Sequence, residues 1–209
     1  MRSFIVETWS KIFHVLRWMS PFQIIRISIP ATRRSYRFVD GWVLGNLLLS
    51  IVLLLMCSTP NLRWWETIAI GYGGIRVFEV FIYQINVLLF DEYRARKAGE
   101  TYAVRGFRRI VILLLHNYVE IIFWFALFYR NASCAFDTSG STLNSFLVSL
   151  NFSFVTMTTF GHAAISPTGI LGNMLVFIQS VIGLFMALLI LARFISLIPT
   201  PETMDEFEK

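Results

Sequence analysis

The chain has 209 residues, of which 56% are hydrophobic and only 15% charged, a balance that excludes an ordinary water-soluble domain. A net charge of +5 would point to nucleic acid in a soluble protein, but here the basic residues flank apolar runs, where they orient spans in a bilayer and imply no nucleic-acid partner. The histidines, His14, His116 and His162, are scattered; with no HExxH, paired-cysteine or nucleophile motif they make no catalytic constellation, so an enzyme is not expected.

Residues 1–40 are a basic segment in which Trp9, Phe13, Leu16, Trp18, Ile24 and Ile25 stand among Lys11, Arg17 and Arg26. No uninterrupted apolar core leads to a small-residue cleavage site. The segment therefore predicts an amphipathic helix on the cytosolic membrane surface, broken near Pro21 and Pro30, in place of a secretory signal. Arg33, Arg34 and Arg37 would hold the start of the first span at anionic lipid headgroups.

Residues 41–109 hold two spans and a charged loop. The first span runs from Gly41 to Cys57, with Trp42 at the interface; its Gly41 and Gly45 form a GxxxG spacing that carries little weight in one short span. The second runs from Glu66 to Phe90. Within it Ile70-Gly71-Tyr72-Gly73 reads like an ion filter. Only about ten residues separate it from the first span, too few for a pore helix, so small residues that admit a neighbouring helix are the better reading. Arg76 and Glu79 lie three apart on one helical face, either as a coupling element or as a mutually neutralised packing pair. A lone arginine collects too little charge for steep voltage gating. Residues 91–109, helical at their start, form a charged cytosolic loop and offer a surface to a regulatory partner.

The third span, Ile110 to Tyr129, carries His116, Asn117 and Glu120 at helical spacing, with Glu120 available to pair with Arg76. A packing role or a proton relay fits this intramembrane polar cluster. Residues 130–140 read as an external turret, with Asn131-Ala132-Ser133 matching a glycosylation pattern. Cys57 and Cys134 both fall on the outer side, where the compartment permits a disulfide; two free thiols are the better reading. Ser141 or Thr142 caps a further apolar helix running toward Met157.

The final span, Leu171 to Ile198, carries Gln179 and Ser180, which either face a cavity or hydrogen-bond across helices, and Gly183, which is either a gating hinge or a packing glycine. Residues 199–209 are an acidic tail that concentrates cations at the inner mouth or is simply solvated. Of the 18 Lys and Arg, seven precede Gly41 and six lie between Arg94 and Arg109, whereas the outer segments carry only Arg63 and Arg130. The positive-inside rule places both termini in the cytosol, in a plasma or inner membrane.

Between the last two spans stands Thr158-Thr159-Phe160-Gly161-His162-Ala163-Ala164. It resembles the signature of the potassium-channel-like pore family: a threonine pair, an apolar residue, glycine, an aromatic, a second glycine and usually aspartate. Thr159 takes the signature threonine, Phe160 the apolar position, Gly161 the first glycine and His162 the aromatic. Ala163 and Ala164 fall at the second glycine and the aspartate. The resemblance implies an all-α membrane protein with four transmembrane helices plus a re-entrant pore helix and filter loop, its pore domain at residues 110–198. Four copies would close into a homotetramer among membrane lipids. The carbonyls of Thr159, Phe160, Gly161 and His162, with the Thr159 hydroxyl, would replace the water of K+ or another monovalent cation; no other cofactor is implied. Ala163 lacks the freedom of glycine at positive φ and Ala164 lacks an acid, so cation conduction is more firmly implied than potassium selectivity. A protonated His162 would place positive charge in the outer pore, implying block by external acid. The alternative is a non-conducting or weakly selective membrane regulator with a degenerate pore.

Overall fold

The structure is a computed structural model that describes residues 4–16, 20–29, 35–57, 63–97, 99, 106–138, 142–161 and 164–197. The expectations at Arg17, Trp18, Pro30, Arg33, Arg34, Ser141, His162, Ala163 and the acidic tail lie outside these residues.

Two short helices come first, α1 (Phe4–Leu16) and α2 (Pro21–Ser28). Pro21 starts α2: Ser20 is the N-cap, its hydroxyl accepting from the Gln23 N–H at 3.3 Å, and proline at the first turn has no intrahelical N–H to lose. One face of α1 packs on the fourth helix through Phe13 and Phe90, with ring centroids 5.5 Å apart, while Phe4 is left exposed.

Four helices are long and apolar enough to cross a membrane: α3 (Tyr36–Met56), α4 (Arg63–Leu89), α6 (Phe107–Asn131) and α8 (Gly169–Ile195), with the short α5 (Asp91–Lys97) after α4. This is the all-α membrane architecture expected. The first span starts five residues early because Ser35 caps it, its hydroxyl accepting from the Phe38 N–H at 3.3 Å.

The third span is the axis of the bundle. Of its most apolar window 56% is buried, against 22% for α3 and 28% for α8, and Ile121, Trp124, Leu127 and Tyr129 are closed off from solvent. A Cβ on Gly73 would stand 2.5 Å from the Trp124 ring, so this glycine of the Ile70–Gly73 stretch admits a neighbouring helix, as expected. Around Gly41 and Gly45 nothing lies within 4 Å of such a Cβ, and the GxxxG spacing holds no close helix among the described residues.

The chain between α6 and α8 re-enters the bundle. After a 3-10 turn at Ser133–Ala135, the strand β1 (Phe136–Asp137) pairs antiparallel with β2 (Ser166–Pro167). Between the two strands α7 (Phe146–Met157) descends, and its last residue meets Gly183 in the middle of α8, where a Cβ would run into the Met157 carbonyl. Twelve residues of helix cover about 18 Å, enough to reach half depth. The two-stranded pair returns the chain to the level at which it left, with the Thr168 N–H bonded to the Ala135 carbonyl at 2.7 Å. The helix starts later than expected at Ser141 or Thr142, because Thr142 is spent on a turn, its carbonyl accepting the Ser145 N–H at 3.1 Å, and Ser145 is the N-cap residue.

Candidate functional site

The end of α7 is set by its own backbone. The Phe160 N–H reaches back to the Val155 carbonyl at 3.0 Å and the Thr159 N–H to the Thr156 carbonyl at 3.1 Å, which together make a Schellman motif. The residue this motif holds in the left-handed region is ordinarily glycine; here it is Thr159, at φ 62°. A β-branched residue there stores roughly 1–2 kcal/mol of strain. Gly161 also has positive φ, at 74°. Thr159, Phe160 and Gly161 are exposed in the single chain, Phe160 to 85%, and no other described residue donates to their carbonyls.

Behind this turn lies an uncharged network joining three helices. The Ser153 hydroxyl of α7 donates to the Ile122 carbonyl of α6 at 2.7 Å. The Gln179 carboxamide of α8 donates to the Ser153 carbonyl at 3.0 Å and to its hydroxyl oxygen at 2.8 Å. It accepts from the Tyr129 hydroxyl of α6 at 2.6 Å. Every group in the set is buried and matched. Of the two readings for Gln179, the bond across helices is the one found. Gly183, one turn further along an unbroken α8, is packed on the Met157 backbone.

On the opposite side of α6 the polar groups are charged. Arg76 of α4 forks onto Glu120 of α6, Nε to Oε1 at 2.7 Å and Nη2 to Oε2 at 3.0 Å, and gives Nη1 to Glu79 at 2.5 Å. The pairing of Arg76 with Glu120 is as expected. The Trp124 indole N–H donates to Glu120 at 3.1 Å. Glu79 also accepts from the Ser20 hydroxyl and, at 2.7 Å, from the Phe22 backbone N–H, so α2 is tied to the network through its N-terminus.

One assignment needs correction. His116 is outside the network: its Nδ1 faces the Ile112 carbonyl of its own helix at 2.7 Å. Trp42 packs with Phe22 and Phe38, at 6.0 and 6.3 Å between centroids, with the Arg76 guanidinium 5.9 Å from its ring. The docking of Ser20 and Phe22 on Glu79 had no signal in the sequence beyond a Ser-Pro pair that caps a helix.

At the far end of the bundle Cys57 and Cys134 are free thiols, as expected. Burial, then the neighbouring Glu66 carboxylate, push the Cys57 thiol up to about 11 against the opposing charge of Arg130.

The ion channel family matches residues 111–199. The match takes in nearly all of α6, the re-entrant helix, the turn at Thr158–Gly161 and all of α8; α3 and α4 lie outside it. No curated protein and no solved structure matches the chain.

Proposed function

We propose that this integral membrane ion channel, whose residues 111–199 are a potassium-channel-like pore unit of the ion channel family, works as a homotetramer passing K+ along the carbonyls of Thr159, Phe160, Gly161 and His162. The observation that carries the reading is the re-entrant α7, which ends at half depth beside Gly183 and presents an exposed, positive-φ turn. One chain supplies one such turn, and a cage of carbonyls around a dehydrated cation takes four. The negative end of the α7 dipole at Thr158 favours a cation there. Phe177, Leu184 and Leu188 give α8 an exposed apolar face that neighbouring subunits and lipid would cover, and Phe160 calls for the same. Both termini face the cytosol by the distribution of basic residues, at a plasma or inner membrane, where a regulatory partner has the charged 91–109 segment to meet. Hinging of α8 at Gly183 would move the base of the turn directly, since the two backbones touch there.

The test is a flux assay on the purified chain in liposomes with K+, Na+ and an impermeant cation. K+ flux above Na+ flux, lost in Thr159→Ala, is the expected result, and it falls as external pH passes below about 6.5, the ordinary range of an imidazole at His162. The strained Thr159 favours a second reading, a membrane regulator with a degenerate, non-conducting pore. Absence of flux for the wild type at acid and alkaline pH and under stretch would select it.

A further inference from the structure

A cavity of about 680 Å³ lies between α3 and α4, backed by α6 and flanked by α2. Its volume is that of a small-molecule site, about 300–1,000 Å³. It begins at the end of the bundle where α3 and α6 start, with Tyr36 and Arg109 on its wall, and reaches Asn117, about 12 Å further along α6. Phe78 and Tyr83 of α4 line it and are themselves exposed, so it opens sideways toward the lipid around the spans.

Three arginines and one glutamate stand on the wall. Arg76 is spent, with Nε, Nη1 and Nη2 all bonded to Glu79 or Glu120, and Glu79 also accepts from Ser20 and Phe22. That leaves Arg26 of α2 and Arg109 of α6. Arg109 is partly exposed and bonds Asp40 through Nε at 3.0 Å and Nη2 at 2.6 Å. Both bonds go to one carboxylate oxygen, and Nη1 makes none among the described residues. With Asp40 counted, Arg26 and Arg109 still carry one positive charge in excess. Guanidinium nitrogens donate and never accept. An oxyanion suits them, since its bonds to a guanidinium are about twice as strong as neutral ones, and a cationic head would be repelled.

A neutral group stands deeper. Gln84 of α4 is only 7% exposed and lines the same cavity, and its carboxamide makes no hydrogen bond among the described residues. A buried amide left unmatched is costly, and its NH2 suits a carbonyl oxygen such as that of an ester. Val43, Val80 and Leu113 continue the wall with apolar surface. An oxyanion, an ester and a hydrocarbon chain are the parts of a phospholipid.

We infer that this cavity holds an acidic phospholipid of the surrounding bilayer, with its phosphate at Arg109 and Arg26, an ester carbonyl at the Gln84 NH2, and one acyl chain along Val43, Val80 and Leu113. Seated there, the lipid touches α2, α3, α4 and α6 together and fastens the added helices to the pore unit.

The test places the full chain in phosphatidylcholine nanodiscs containing a photoreactive phosphatidic acid or, separately, a photoreactive phosphatidylcholine with the same chains. The phosphatidic acid is expected to crosslink to the cavity wall near Val87 or Leu113, more than the phosphatidylcholine does. Unlabelled phosphatidic acid displaces it and soluble glycerol phosphate does not. Arg109→Gln lowers the crosslinking about fivefold, as for loss of one basic contact to an acidic lipid, and Arg109→Lys restores it. Gln84→Leu and, separately, the cavity-filling Leu113→Trp lower it too. Lys97→Gln removes the same charge from exposed α5, outside the cavity, and leaves it unchanged. Equal crosslinking of the two lipids, displacement by glycerol phosphate, or a loss in Lys97→Gln as large as in Arg109→Gln would overturn the inference. The readout is binding, so it stands or falls separately from conduction.

Discussion

Two buried polar networks meet α6 from opposite sides, and they are built on different physics. The Glu79–Arg76–Glu120 set is ionic and holds the two-helix addition, with α2, against the pore unit. The Tyr129–Gln179–Ser153 set is neutral and holds the pore unit together. In the neutral set each donor meets an acceptor, so its stability contribution is that of a few matched hydrogen bonds. The ionic set carries an excess negative charge that the Ser20 hydroxyl, the Phe22 N–H, the Trp124 N–H and the positive end of α2 offset together. Such a set is held in place by what its members would suffer apart. The joint between the added helices and the pore is therefore the more sensitive of the two to loss of one member.

Removing the cation from the ionic set gives the largest effect. Arg76→Met strands two buried carboxylates and is expected to cost about 3–5 kcal/mol in denaturant unfolding of the detergent-solubilised protein. Adding Glu79→Gln and Glu120→Gln to the same chain neutralises what was stranded and should recover most of the loss. If the triple variant is no better than Arg76→Met, charge is not what the network is balancing. On the other side of α6, Gln179→Leu takes the acceptor from the Tyr129 hydroxyl and the donor from Ser153, whose hydroxyl keeps its bond to the Ile122 carbonyl, for about 1–3 kcal/mol. Combined in one chain, Arg76→Met and Gln179→Leu should add to within about 0.5 kcal/mol if the two faces of α6 are independent. A larger deviation would mean that α6 passes strain from the added helices to the pore unit.

The same contrast explains what the sequence could and could not disclose. Arg76 and Glu79 are three residues apart, and a buried acid at Glu120 is hard to place without a cation, so their pairing follows from helical spacing and the cost of burying charge. The four spans follow from hydropathy, and the first starts five residues early because Ser35 caps the helix before the apolar run begins. The contact of α2 with Glu79 is separated by 57 residues and depends on a backbone N–H, which leaves no trace in residue identity. His116 misled because spacing gives the face of a helix but not the rotamer, and its ring turned to its own backbone. The expected cap of α7, Ser141 or Thr142, passes over Ser145, a third residue of the capping type within five positions, which is the N-cap.

The smallest expected effect lies at Thr159, where backbone and side chain make opposite demands. Thr159→Gly relieves a left-handed threonine, worth about 1–2 kcal/mol, and gives back roughly 0.5–1 kcal/mol through the greater freedom of glycine in the unfolded chain. The net expectation is a stabilisation of about 0–1.5 kcal/mol, read as a small rise in unfolding midpoint. Thr159→Ala keeps most of the strain and should show no such rise. Both variants lose the hydroxyl and keep the backbone carbonyl. If K+ flux in liposomes fails equally in the two, the hydroxyl is the group the cation needs, and the strain is tolerated for its sake. Retained flux in Thr159→Gly with loss in Thr159→Ala would assign the function to the turn, since the backbone shape that the threonine is forced into is then what the pore requires.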